Sequence, residues 1–440
     1  MFFLPLQAGI YLNDIACADF MPSHAAMKRL DTRRLLDTTR QFVRNTEGGR
    51  TDWLNPVCML LLAIIGIFFI YSAQAFVGGT YWMRQIVWLV LGSGVYVVVS
   101  RIDYKIYLEN AFWIYALSLV LLLLIWTPLG MEREGARRWL NFQFMAFQPA
   151  EAAKICTLIM IASILARSEL GTLRQSVWVL LKVFAVTAIP MLLIFRQPDL
   201  GSCLIIPPTM LALLYISRLS ERFFLAVFGL VLLLVGILGV DLVRYSQFLQ
   251  EEDLTALEAR GQFQDKSFLP LRDYQRERIM TFLAPEVVDP RGTGSAWNSN
   301  QARQAVGTGG FAGKGWQEGL QARLGYLPRS VAHNDFIFAV LAEEKGFIGG
   351  VPVLGLFALL LANGVRIAGI ARDRFGMLLS IGVTVIFLIH VFINIGMTIG
   401  LTPITGLPLP FLSYGGSFIL SCCILQGIVQ SVHRHRRAFL

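Results

Sequence analysis

Apolar runs of roughly 17 to 25 residues recur along the chain, each long enough to cross a hydrocarbon core of about 30 Å as a helix. A backbone inside lipid must satisfy its own hydrogen bonds, so it forms helices or a closed barrel, and unbroken rather than alternating apolar runs select helices. Ten spans are predicted, approximately 55–77, 84–100, 109–127, 149–166, 177–195, 201–217, 223–242, 336–365, 375–397 and 414–432. The expected class is an all-α polytopic membrane protein with about ten transmembrane helices and a large extracytoplasmic loop, 243–335, between the seventh and eighth. With 55% hydrophobic and 15% charged residues, a disordered chain is excluded. The net charge of +9 sits in short clusters beside the apolar runs, where it orients the chain in the membrane, so no nucleic-acid partner is expected.

Those cations sort the loops by side. Arg40, Arg44 and Arg50 precede the first span, and Arg101, Lys105, Arg167, Arg174, Arg218, Arg222, Arg366, Arg372 and Arg374 fall in alternate loops. His433 to Arg437 follow the last span. The positive-inside rule puts all of them, and both termini, in the cytoplasm. The expected organisation is a cytoplasmic segment over 1–54 and one membrane domain over 55–437. Met27, followed by Lys28, Arg29, Arg33 and Arg34, is an expected alternative start that would make the first 26 residues surplus. Cys58, Cys156, Cys203, Cys422 and Cys423 lie in apolar runs, and no disulfide framework or zinc spacing is evident.

The polar motifs gather on the other side. Arg137-Arg138-Trp139 lies in the second outer loop, Gln148 to Lys154 opens the fourth helix, and Gln197-Pro198-Asp199 opens the sixth. His333-Asn334-Asp335 opens the eighth, Asn394 nears the outer end of the ninth, and Ser413 to Ser417 opens the tenth. Glu151 and Lys154, three apart, share a helix face. They read either as a structural ion pair or as a site where Lys154 binds an anion, since charge at membrane depth is costly. Asp199 reads as a helix cap. Asp335 reads as a cap or as a chemically active acid, and with His333 it makes only two of the ligands a metal needs. Ser413 has no hydrolase context. Gly307 to Gly315 fails the phosphate-loop pattern and reads as a flexible loop, while Gly346/Gly350 and Gly396/Gly400 have helix-packing spacing.

Taken together, Gly135 to Leu140, Phe147 to Lys154, Gln197 to Gly201, Asp273 to Arg276, His333 to Ala339 and Leu409 to Ser417 resemble the SEDS family (shape, elongation, division and sporulation). Gly313-Lys314-Gly315-Trp316 and Leu407-Pro408-Leu409-Pro410 look more like its elongation branch, RodA, than its division branch, FtsW. Asn334 and Ser202 stand where Thr is common, and 247–271 is longer than in typical relatives.

The resemblance implies a peptidoglycan glycosyltransferase that polymerises lipid II, the undecaprenyl-pyrophosphate-linked disaccharide peptide, beside a class B penicillin-binding protein acting as transpeptidase. Its place would be the plasma membrane, surrounded by lipid, with the active site on the outer face. Asp335 matches the family's essential acid and is the expected general base for the acceptor 4-hydroxyl. Arg138 and Lys154 would stabilise the pyrophosphate. Glu151, Gln197, Asp199, Gln301, Arg303 and Ser413 are the remaining expected pocket members. No cofactor and no dedicated metal site are evident, though a divalent cation, magnesium or manganese, could share the pyrophosphate. The rival class is a lipid II flippase, which would place polar groups at mid-membrane on helices broken at positions such as Pro190, Pro207 and Pro208, with His390 already inside a span.

Overall fold

The computed structural model describes residues 51–436, apart from 76–77, 134–135, 142–145, 170–172 and scattered positions between 253 and 272. The N-terminal segment and Met27 lie outside the described residues, as does Arg437. Ten apolar helices follow the predicted runs: α1 (Leu54–Gln74), α2 (Tyr81–Arg101), α3 (Ala111–Leu123), α4 (Pro149–Ala166), α5 (Leu173–Arg196), α6 (Leu200–Ile216), α7 (Glu221–Glu251), α8 (Ile337–Gly369), α9 (Arg374–Ile399) and α10 (Gly416–Arg434). Eight are long and apolar enough to cross a membrane, and α3 and α6 are shorter. Pro190, Pro207 and Pro208 lie inside helices α5 and α6 and do not end them. A small antiparallel sheet, β1 (Gly130–Arg133), β2 (Ala136–Asn141) and β3 (Ala146–Phe147), folds the second outer loop and is the main departure from an all-α reading.

The bundle is centred on α10, α4 and α9, whose apolar stretches are 83%, 72% and 61% buried. Small residues let the helices approach, as expected where lipid offers no hydrophobic drive between them. A Cβ on Gly92 of α2 would meet Cys423 Sγ of α10 at 2.8 Å, and one on Gly427 would meet Val99 at 2.9 Å. Below the core, Asn363 Nδ2 donates to Asp52 Oδ1 at 3.0 Å and Asn55 Oδ1 at 2.9 Å, and Asn55 donates to Gln426 Oε1 at 2.9 Å. These bonds tie the same ends of α1, α8 and α10 together.

α7 behaves differently. None of its apolar stretch is buried, so that stretch faces lipid. Its 31 residues span about 46 Å, more than the hydrocarbon core requires, so its end runs on into the long outer segment. There Leu242, Tyr245, Phe248 and Leu249 pack with Ala259, Phe263, Met280 and Val288 in a core of their own. Arg276, fully buried, donates from Nε to Asp241 Oδ2 at 2.7 Å and from Nη1 to Asp273 Oδ1 at 3.1 Å. The Asp273-Tyr274-Gln275-Arg276 motif therefore pins the insert to the end of α7.

The rest of the outer segment returns to the bundle through the helix Trp297–Gly309, which packs on α8 and α9. Past it, the Gly-rich run meets a break in α8. Gly346 takes φ 60° and ψ −155°, which leaves backbone groups on either side without helical partners. The run supplies them: Phe347 and Ile348 amides donate to the Gly310 and Phe311 carbonyls at 3.0 and 3.1 Å. In return, the Lys314 and Gly315 amides donate to the Glu343 and Glu344 carbonyls at 3.0 and 3.1 Å. A Cβ on Gly346 would lie 2.4 Å from the Gly313 nitrogen, so this glycine serves the loop contact and not helix packing. Lys314 Nζ bonds Glu343 Oε1 at 2.6 Å. Residues 307–315 are thus a fitted clasp, which corrects the flexible-loop reading.

Candidate active site

Two of the predicted polar motifs, His333 to Asp335 and Ser413 to Ser417, meet with Asn394 at one segment, the link between α9 and α10 over 400–415. Asn394 of α9 donates through Nδ2 to the carbonyls of Leu407, at 2.7 Å, and Asp335, at 2.8 Å. The Tyr414 amide donates to the His333 carbonyl at 3.1 Å. Ser413 is fully buried, donates its hydroxyl to the Asn334 carbonyl at 2.6 Å and accepts from the Leu409 amide at 2.8 Å. The hydroxyl that the motif offered as a pocket member is thereby committed to holding the turn. Asp335, half-buried, has its carbonyl held by Asn394, which also holds the link at Leu407, and its Oδ2 lies 3.5 Å from where a Gly406 Cβ would sit. Gly406 takes φ +74°, so a side chain there would be strained, though its Cβ would only touch the acid at van der Waals distance.

An aromatic wall flanks this turn. Tyr81 stacks on His333 with ring centres 4.7 Å apart and lies 4.8 Å from the Tyr414 ring. Gln85 Nε2 donates to the Ser413 carbonyl at 3.1 Å. Tyr81 and Gln85 belong to α2 and escape motif reading. A fully buried glutamine in an apolar helix is the signal that could have found the second.

Deeper in the bundle, Lys154 Nζ donates to Glu151 Oε1 at 2.7 Å, with both side chains almost fully buried. The predicted pair is therefore real. Its ammonium also lies 3.4 Å from His390 Nε2 of α9, a partner that spacing did not suggest.

The remaining predicted residues surround the start of α4 and α6. Asp199 caps α6, accepting from the Ser202 amide at 3.1 Å, and its Oδ2 accepts from Ser202 Oγ at 2.9 Å and Gln148 Nε2 at 2.8 Å. Gln197 Nε2 donates to the Leu122 carbonyl at 3.2 Å. The Gln148 amide donates to Ser417 Oγ at 3.3 Å, so α4, α6 and α10 begin from one hydrogen-bonded knot. Arg138 sits on β2, in the sheet whose last strand leads into that knot. Gln301, buried, and Arg303, exposed, come from the helix Trp297–Gly309. Arg303 donates to Asn300 Oδ1 at 2.6 Å, and its Cδ lies 2.7 Å from where a Gly400 Cβ would be, against the start of the link.

A family model described as "Cell cycle protein", FtsW/RodA/SpoVE, matches residues 52–438. The chain belongs to the FtsW/RodA/SpoVE family. Peptidoglycan glycosyltransferase MrdB of Escherichia coli K12 is 34% identical over 395 residues, covering 88% of this chain and 96% of MrdB. Peptidoglycan glycosyltransferase RodA of Treponema pallidum is 32% identical over 430 residues, covering 87% and 97%. A solved chain from a peptidoglycan synthase complex that coordinates polymerization and crosslinking matches with a TM-score of 0.68 and 26% identity, over 88% of this chain and 98% of that one. The bundle and its outer segment are thus the FtsW/RodA/SpoVE fold along most of the chain.

Proposed function

We propose that this chain is an elongation-type peptidoglycan glycosyltransferase that polymerises lipid II. One observation carries the reading: the acid Asp335 and the buried cation Lys154 are both tied to the 400–415 link, Asp335 through Asn394, which also holds Leu407, and Lys154 through His390 on Pro408, while Ser413 holds the neighbouring Asn334 carbonyl. The acceptor sugar's 4-hydroxyl attacks the donor's anomeric carbon while its proton passes to the Asp335 carboxylate. The bond from that carbon to the pyrophosphate oxygen breaks, and its electron pair leaves with the lipid pyrophosphate. Lys154 and Arg138 stabilise the charge that develops there. Among the described residues no three His, Cys, Asp or Glu side chains gather as a metal site; a divalent cation, when bound on the pyrophosphate, would supply further charge stabilisation beside these side chains.

The cation sorting supports cytoplasmic termini and a site facing outward in the plasma membrane, where lipid II's sugars are polymerised. A class B penicillin-binding protein is the proposed partner, supported by the likeness to a chain of a synthase complex. The break in α8 is the feature that favours a flippase, since carriers use discontinuous helices. Here the clasp pairs the freed backbone groups, and the acid and its frame lie at helix starts. Purified protein in detergent, with lipid II and the partner transpeptidase, should release glycan strands. A flippase would yield none, and that outcome would overturn the reading.

A further inference from the structure

His390, 2% exposed, is a buried titratable side chain that bridges Lys154 and the Pro408 carbonyl and has no part in the bond-making steps above. Its two ring nitrogens meet different partners. Nδ1 lies 3.1 Å from the Pro408 carbonyl oxygen, and Nε2 lies 3.4 Å from Lys154 Nζ. A carbonyl can only accept, so the ring proton sits on Nδ1 and Nε2 keeps a lone pair. An ammonium can only donate, so Lys154 needs that lone pair. The two neighbours therefore select the same neutral tautomer from opposite sides.

We infer that His390 is a positioning residue for glycosyl transfer, acting through Lys154. A lysine ammonium has three donors. Glu151 Oε1 takes one at 2.7 Å and His390 Nε2 takes another, which leaves the third for an anionic oxygen of the substrate. A cavity of about 10 Å³, no larger than one water, adjoins the ammonium; Glu151, Lys154, His390, Ser421 and Cys422 meet there with apolar side chains of α4, α9 and α10. Without the imidazole, the ammonium has no second acceptor to hold it away from a two-oxygen grip by Glu151, in which it would be lost to the substrate. Because Pro408 belongs to the link that seats Asp335, the tautomer also keeps the cation in register with the acid. This inference rests on the proposed glycosyltransferase reading.

The test compares wild type, His390→Leu, His390→Phe, His390→Gln and Lys154→Ala, with each His390 change also made in the Lys154→Ala background. Unfolding temperature is measured first, then lipid II polymerisation as kcat and KM, and binding of undecaprenyl pyrophosphate without turnover. Leu or Phe should lower kcat/KM and pyrophosphate binding about tenfold, as expected for one lost hydrogen bond to a charged group. Gln, whose amide oxygen can accept from Lys154, should restore most of the loss. In the Lys154→Ala background the His390 changes should cost nothing further. Folded Leu and Phe variants with wild-type activity, or a full tenfold loss added to that of Lys154→Ala, would overturn the inference. A wild type that binds undecaprenyl pyrophosphate but makes no glycan would instead sink the functional reading, and the binding series would still judge His390.

Discussion

Lys154 and Glu151 serve structure and chemistry at once, and the two roles separate by mutation. Lys154→Ala leaves a buried carboxylate without its cation, a loss of about 3–5 kcal/mol, and removes a charge from the leaving group. Replacing the pair together, Glu151→Gln with Lys154→Met, should restore the unfolding temperature while polymerisation stays at least about a hundredfold below wild type. Recovery of activity along with stability would show the pair to be structural. At this scale the sequence shows what is local. The i,i+3 spacing of Glu151 and Lys154 and the cap position of Asp199 can be read directly, because both bonds close within three residues. His390 meets Lys154 across 236 positions, and Ser413 meets Asn334 across 79, so only packing reveals those partners.

At the scale of elements, helices are legible because lipid leaves the backbone few alternatives, and the predicted 149–166 coincides with α4. The break in α8 is not. A glycine within an apolar run fits unbroken helix as well as a kink, and the decision comes from the amides and carbonyls of a loop over thirty residues earlier. The clasp makes a direct prediction. A Cβ on Gly313, which takes φ +80°, would lie 2.2 Å from the Glu344 carbonyl oxygen. Gly313→Ala should therefore cost more than about 2 kcal/mol, combining backbone strain and overpacking, and lower the unfolding temperature in detergent. An unchanged unfolding temperature would show that the clasp gives way freely.

Across the whole molecule, apolar runs and the sorting of cations in the sequence alone show a many-span membrane protein. What stays hidden is that α7 leaves the membrane to found a second core with the insert. Its packing residues, Tyr245, Phe248, Phe263 and Met280, are spread through a charge-rich stretch in which the helical spacing of Leu242, Tyr245 and Phe248 gives way to isolated apolar residues. Arg276→Met should orphan Asp241 and Asp273, destabilise the insert by about 3–5 kcal/mol and expose it to protease, while the bundle keeps its own unfolding transition. Loss of both together would mean that the insert and the bundle fold as one cooperative unit. The outer segment as a whole carries the helix that supports α8 and α9, and it delivers Asp335 to the link that also orders Lys154. On that convergence the proposed chemistry of Asp335 depends. Its most direct test is lipid II polymerisation by purified Asp335→Asn whose unfolding temperature matches wild type. The rate should fall at least about a hundredfold, as for removal of a general base, and glycan synthesis at the wild-type rate would mean that Asp335 is not the base.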